Sequence, residues 1–300
     1  MANTVYKLGK DLRLGLSPDI SEADDPVLHS NMADVYNAIQ QLAAVSELVG
    51  VDVDLERALG NIAGQQVFEK HGRNPDVDTG TLPESIWNGG GVYTGFPTGA
   101  AETMELLSSD AADAAAGTGA RTVTVSNLLD EDGAVAPDIT VTLNGTSAVS
   151  LGAVTYTRAS RLTVVTAGSG GSNAGTLTLR HTTTTTNIFA VMPAGRNRTA
   201  IACYTVPVGY VLAVNRVVFR MVISGGSNAS AECVFACRDF VTDGAFQSVL
   251  SPDITVSMPY EYNNGYILFP ARTDIRCDAI AASTNNSRVT AEFSGVLVAV

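Results

Sequence analysis

Tryptophan occurs once, histidine three times and cysteine four times in these 300 residues, and aromatic side chains make up only 6% of the chain. Each scarcity excludes something. The histidines, His29, His71 and His181, are scattered, with no H-E-x-x-H pair and no G-x-S-x-G elbow to work with. The cysteines, Cys203, Cys233, Cys237 and Cys277, fall in the C-terminal third, and only Cys233 and Cys237 are close in sequence. On a strand, residues four apart share a face but stand about 13 Å apart, too far for one ion or one disulfide. Small buried hydrophobes are therefore expected, with no metal and no cofactor. No apolar run reaches the roughly 18 residues of a membrane span, and the opening "MANTVYKLGKDLRLGLSPDI" lacks the apolar block of a signal peptide. Folding in a cytoplasm without membrane insertion is the expectation. With a formal charge of −12 and no run of Lys and Arg, the chain offers no concentrated positive surface for phosphates, which excludes nucleic acid as the expected partner.

What the chain does have changes character near residue 80. Before that point Asp25 reads as an N-cap and Pro26 as the first helical position, followed by Met32, Val35, Tyr36, Ile39, Leu42 and Ala43 at three- and four-residue steps, with Gly50 beyond the last turn. A second, weaker helical stretch, "DLERALGNIAGQQVFEKHG", starts at Asp54 and is interrupted by Gly60 and Gly64. Two such helices close no core alone, so the apolar stripe must pack on the rest of the chain or on another protein. Met32, Val35, Tyr36, Ile39 and Leu42 are the candidate partner-binding set. Residues 1–80 thus read as a helical anchor segment and 81–117 as a glycine-rich connector holding Trp87; Gly89-Gly90-Gly91 lacks the Lys-Ser/Thr of a phosphate loop.

Residues 118–300 read as eleven Thr- and Val-rich segments separated by turns, which predicts a mainly β fold, a β-sandwich or jelly roll, either as one region or as two packed units at about 118–198 and 199–300. Gly-Gly-Ser-Asn-Ala occurs twice, at Gly170 and Gly225, and the same spacing pairs Arg161 with Arg216. The spacing predicts a repeated hairpin, by duplication or because tight turns favour the same residues. Val217, Phe219, Met221 and Ile223 should face a core; Arg216 and Arg220 lie on the other face, a mixture suited to a subunit contact. The apolar ending "GVLVAV" also needs cover.

Groups able to do chemistry are few. Glu261, Asp274, Asp278 and Glu292 could supply paired carboxylates for sugar hydrolysis, or be rim acids. Asp130-Glu131-Asp132-Gly133 is half of a calcium loop or an acidic hairpin turn. Trp87, Tyr93, Tyr260, Tyr262 and Tyr266 could stack on sugar rings, or belong to the core or an interface.

"SSDAADAAAGTGARTVTVSNLLDEDG" and the following "DITVTLNGTSAV" resemble a stretch of structural proteins from tailed bacteriophages, on Asp113, Gly117, Gly119, Ala120, Arg121 and Thr122, then Leu143, Asn144, Gly145 and Thr146. "AGSGGSNAGTLTLR" and "TAIACYTVPVGYVLAVNRVVFRM" are similar too, so the resemblance covers residues 87–300, and "DPVLHSNMADVYNAIQQLA" resembles a short helix of phage fibre and tail proteins. The resemblance implies a virion component, head- or tail-attached as fibre, spike or decoration, oligomeric with a trimer favoured, and it carries over no catalytic residue. The resulting expectation is a noncatalytic structural protein, folded in the host cytoplasm and partnered by other virion proteins. A tail module that binds host surface glycan is the alternative, and a glycan depolymerase the third.

Overall fold

A computed structural model describes residues 52–223, 229–242 and 244–300. The chain divides into two compact units, Met1–Ile62 and Ala63–Val300. In the first, the described residues form helix α1 (Val53–Ala58), whose N-cap Asp52 accepts from the amides of Asp54 and Leu55 at 3.1 and 3.2 Å. The helix expected from Asp54 to Gly72 stops after this short run: Gly60 sits at φ +77°, a conformation that ends helices. Its remainder is strand, not helix. The candidate anchor residues Met32, Val35, Tyr36, Ile39 and Leu42 lie outside the described residues.

The second unit is mainly β, with antiparallel sheets; strands make up 51% of the structure and helix 2%. The chain enters it on β1 (Gln65–Val77) and the short β2 (Glu84–Ser85). Seven strands follow: β3 (Met104–Ser108), β4 (Ala120–Ser126), β5 (Ile139–Thr142), β6 (Val149–Ser150), β7 (Arg161–Ala167), β8 (Leu177–His181) and β9 (Ile188–Met192). The chain then returns through β10 (Cys203–Thr205), β11 (Tyr210–Ile223), β12 (Ser230–Asp239), β13 (Gln247–Leu250) and β14 (Asp253–Thr255). It finishes with β15 (Tyr260–Tyr262), β16 (Ile267–Phe269), β17 (Thr273–Ala282) and β18 (Ser287–Ala299).

These strands make two sandwiches, one nested in the other. In the outer one, a sheet ordered β1-β18-β11, with β15 and β16 on the far edge of β11, faces a sheet ordered β10-β17-β12, with β13 and β14 beyond β12. With β13/β14 and β15/β16 each taken as one interrupted strand, eight strands in chain order occupy the two sheets as 1-8-3-6 and 2-7-4-5. That is a jelly roll. Its core is built from alternate residues of the long strands, among them Val217, Phe219 and Met221 of β11, Cys233 and Phe235 of β12, Ile275 and Cys277 of β17, and Phe293 of β18. The inner sandwich faces β6-β3-β8-β9 with β5-β4-β7 around Leu106, Val123, Leu162, Leu179 and Phe189. It is inserted between the first two strands of the jelly roll.

This nesting departs from the linear division into anchor, connector and two successive units. Residues 65–77 are the first jelly-roll strand, and Met104–Ser108, inside the expected connector, is a strand of the inner sandwich. β1 hides from sequence inspection because its inward face carries Lys70, Gly72 and Asn74 beside Phe68. A strand whose buried positions are polar loses the alternation by which strands are read. Gly72 is needed there: a Cβ would lie 2.2 Å from the Ile86 carbonyl and 2.4 Å from the Ala202 amide, where the two chain crossings into and out of the inner sandwich pass. Those crossings are paired, Ala202 N–H donating to Ile86 O at 3.0 Å and Asn88 N–H to Ala200 O at 3.1 Å.

The strands flanking each Gly-Gly-Ser-Asn-Ala stretch do not pair with each other. β7 pairs with β4, and β8 with β3 and β9, so residues 168–176 cross between the two inner sheets. β11 and β12, flanking the second stretch, likewise lie in opposite sheets of the jelly roll. In the first copy the buried Asn173 serves as a hub: its Nδ2 donates to Gly175 O and Pro193 O, and its Oδ1 accepts from the amides of Arg196 and Asn197. The buried carboxylate of Asp113, the first residue of the phage-like motif, does the same for the preceding loop, accepting from Ser108 Oγ, Ala120 N, Ala174 N and Gly175 N at 2.6–2.8 Å. The final apolar strand needs no outside cover. β18 is bonded on both edges, to β1 and β11.

Candidate functional site: the seam between the two sandwiches

The seam begins with charge that sequence alone places nowhere near each other. Asp274 on β17 is fully buried and accepts from Arg158 Nε at 3.0 Å and Nη2 at 2.9 Å, from Arg238 Nε at 3.1 Å and from Thr205 Oγ1 at 2.5 Å. Arg158 comes from the inner sandwich; Asp274, Arg238 and Thr205 from the jelly roll. A bidentate arginine-carboxylate pair of this kind fixes both distance and orientation. The guanidinium of Arg158 also lies 4.3 Å from the Phe240 ring centroid, and Arg238 Nη2 donates to Phe96 O. All four acceptor positions of the carboxylate are occupied. The cluster is a clamp. Nearby, Asp278 pairs with Arg276 at 2.6 Å and accepts from Ser85 Oγ, while burial pushes its carboxyl above the ordinary range.

Beside the clamp a cleft follows β1. One cavity of about 170 Å³ is lined by Tyr93, Phe96, Arg158 and Tyr210. Two more, of about 220 and 340 Å³, share Glu69, Lys70, Arg161 and Arg198. Lys70 reaches across the seam from β1, its Nζ donating to Ser160 O at 3.0 Å and Ser160 Oγ at 2.7 Å, and it is 3% exposed. Burial, then the neighbouring Arg161 and Arg198 charges, lower its pKa from 10.5 to about 7. Arg161 opens β7, and Arg198 lies on the segment bridged to it at Thr163. Arg161 is itself pushed down by burial and by Arg198.

The residues singled out from sequence are dispersed. Trp87 and Tyr93 are core: they are 3% and 4% exposed, meet edge-on at 5.0 Å, and Tyr93 Oη donates to Phe189 O at 2.9 Å. Neither ring can face a sugar. Tyr260 and Tyr262 are half-buried against the jelly-roll core, whereas Tyr266 is 57% exposed beside an open cavity of about 440 Å³ with Asn215, Arg216 and Asn263. Glu261 and Glu292 share one partner, Arg216, at 2.8 and 2.5 Å. Asp130 closes its own turn by accepting from the amides of Asp132 and Ala134, an acidic hairpin turn. All four cysteines are free thiols; Cys203, Cys233 and Cys277 are buried, and burial raises the Cys233 thiol to about 12. Sequence reasoning missed the Lys70, Arg161 and Arg198 group. Its members are separated by long stretches of chain, and only the nesting brings them together.

No protein-family model matches the chain, and no curated protein matches it. Among solved structures, a chain in the structure of infectious bursal disease virus Gx strain is 9% identical, covering 78% of this chain and 72% of that chain, at a TM-score of 0.22. Likeness at that level carries no functional argument, so function rests on the residues themselves.

Proposed function

We propose that this chain is a noncatalytic structural component of a tailed-phage particle, anchored through Met32, Val35, Tyr36, Ile39 and Leu42 and projecting the double sandwich as fibre, spike or decoration. One observation carries the reading: the seam's strongest charges, Arg158, Asp274 and Arg238, are spent on each other, locking two sandwiches into one stiff block. Jelly rolls serve viral capsid and lectin domains; fold by itself assigns no function, and the phage resemblance over residues 87–300 supplies the choice. Homo-oligomerisation, with a trimer favoured, belongs to the same reading. Apolar side chains stand exposed along residues 256–268, Met258 at 70%, Leu268 at 65% and Tyr266 at 57%, a surface suited to a neighbouring subunit. The test is complementation of a phage lacking this protein, followed by immunoblotting of purified particles. The chain should co-purify at fixed copy number, and its absence from intact, infectious particles would sink the proposal.

Tyr266 favours a second reading, a tail module that binds host surface glycan through the open cavity it lines. Glycan-array binding abolished by Tyr266→Ala would support it. Array silence alongside normal particle incorporation would leave the structural role alone standing.

A further inference from the structure

The chain carries a formal charge of −12, yet its seam cleft gathers three cations at one place. Lys70, Arg161 and Arg198 line both of the larger cavities, and Glu69 is the one carboxylate among the described residues that line them. Lys70 is held by Ser160, a neutral acceptor, through two of its three donors. Neither arginine forms an ion pair within the described residues, as holds also for Arg73, Arg121, Arg196, Arg220, Arg272 and Arg288, but of these only Arg161 and Arg198 line the cleft with Lys70. Like charges brought together in a partly dry cleft repel, and a fold tolerates this where something of opposite sign completes the site. The planar forks of Arg161 and Arg198 match the oxygens of a carboxylate or phosphate. Ser160, Asn127 and Thr199 add neutral hydrogen-bonding groups along the same walls.

We propose that the cleft between β1 and the start of β7 binds an oxoanion, a carboxylate or phosphate group, on Lys70, Arg161 and Arg198. The site is independent of the particle role proposed above, because every group in it belongs to the described β unit. The anion could be a free inorganic ion or the acidic group of a sugar. Tyr210, half-buried in the lining of the adjoining cavity, would give the ring of an acidic sugar an aromatic surface.

Titration calorimetry of the full chain against inorganic phosphate and against glucuronate, in chloride buffer of matched ionic strength, tests this. Saturable binding is expected for at least one of them. Tighter binding of glucuronate assigns the site to a sugar acid, and equal or tighter binding of phosphate assigns it to the free ion. Arg161→Gln combined with Arg198→Gln should weaken binding about tenfold or more, while the melting temperature without anion stays level or rises as repulsion is relieved. Glu69→Gln, at an exposed position, should tighten binding, and it supplies an answer even if the double variant folds poorly. No saturable heat with either probe, or binding that survives the double variant and ignores Glu69→Gln, would overturn the proposal.

Discussion

Replacing Asp274 by alanine takes away the one acceptor that Arg158 and Arg238 share, and it does so at a fully buried position. Arg158 is 3% exposed, and its remaining hydrogen bonds run to the Pro97 and Thr157 carbonyls, so its charge would stay in the seam without a counter-ion. Breaking a buried pair from one side costs about 3–5 kcal/mol, because the surviving charge cannot reach water. For a domain the size of Ala63–Val300, each kcal/mol lowers the melting temperature by about 2–4 °C. Calorimetry should therefore show a fall of roughly 6–20 °C. The double variant is a sharper test of the clamp. Asp274→Ala with Arg158→Met removes the stranded charge as well, so it should recover a good part of the loss and give a favourable coupling of about 2 kcal/mol or more in a double-mutant cycle. A shift of under 2 °C for Asp274→Ala, or a double variant that costs the sum of its singles, would refute the clamp.

Gly72→Ala should destabilise the β unit severely, by about 3 kcal/mol or more, since its methyl would overlap backbone atoms of Ile86 and Ala202 that cannot both retreat; denaturant melts of the purified variant measure this. Lys70 binds its proton more weakly in the fold, at about 7, than at its ordinary 10.5, so the unfolded chain holds more protons between those values and stability rises with pH there. The advantage of Lys70→Met over the parent should accordingly shrink by about 3 kcal/mol between pH 6 and pH 9, and a difference that ignores pH would mean the ammonium is well solvated. Reducing agent should leave the melting temperature unchanged, since all four thiols are free. Tyr36→Asp with Ile39→Asp should keep the β unit's transition yet abolish incorporation into particles, as two carboxylates would have to be buried against a neighbour; normal copy number on immunoblots would place the anchor elsewhere.

The β class was legible because the long strands obey alternation: Val217, Phe219 and Met221 face the jelly-roll core as their spacing predicts. Cys203, Cys233 and Cys277 are buried, as small hydrophobes were expected to be, while Cys237 is half-buried. The nesting was not legible. Nothing local in "QQVFEKHGRNPDV" reports that its partner is the final strand, and Lys70 and Asn74 on its inward face obscure the period. The repeated Gly-Gly-Ser-Asn-Ala reads as a turn because turn residues satisfy many tight reversals. Whether the reversal joins paired strands or facing sheets depends on strands far away. The same non-locality hid the seam cations, whereas Trp87 and Tyr93 drew attention as turn-region aromatics and proved to fill the inner core.

The pairing of β1 with β18 also sets an order of events during synthesis. From Val77 to Ser287 the ribosome must add about 210 residues before the first jelly-roll strand can meet its partner. At roughly 5–20 residues per second, that is a wait of about 10–40 s. Every strand of the inner sandwich emerges within this interval, so the inserted domain can fold while the outer one is still open. The nascent protein therefore passes through a state in which β1 presents an unpaired edge beside a finished module. Such an edge invites pairing with the same strand of another nascent chain. Lys70 and Asn74, costly as buried groups in the finished fold, keep that waiting strand polar until its own partner arrives.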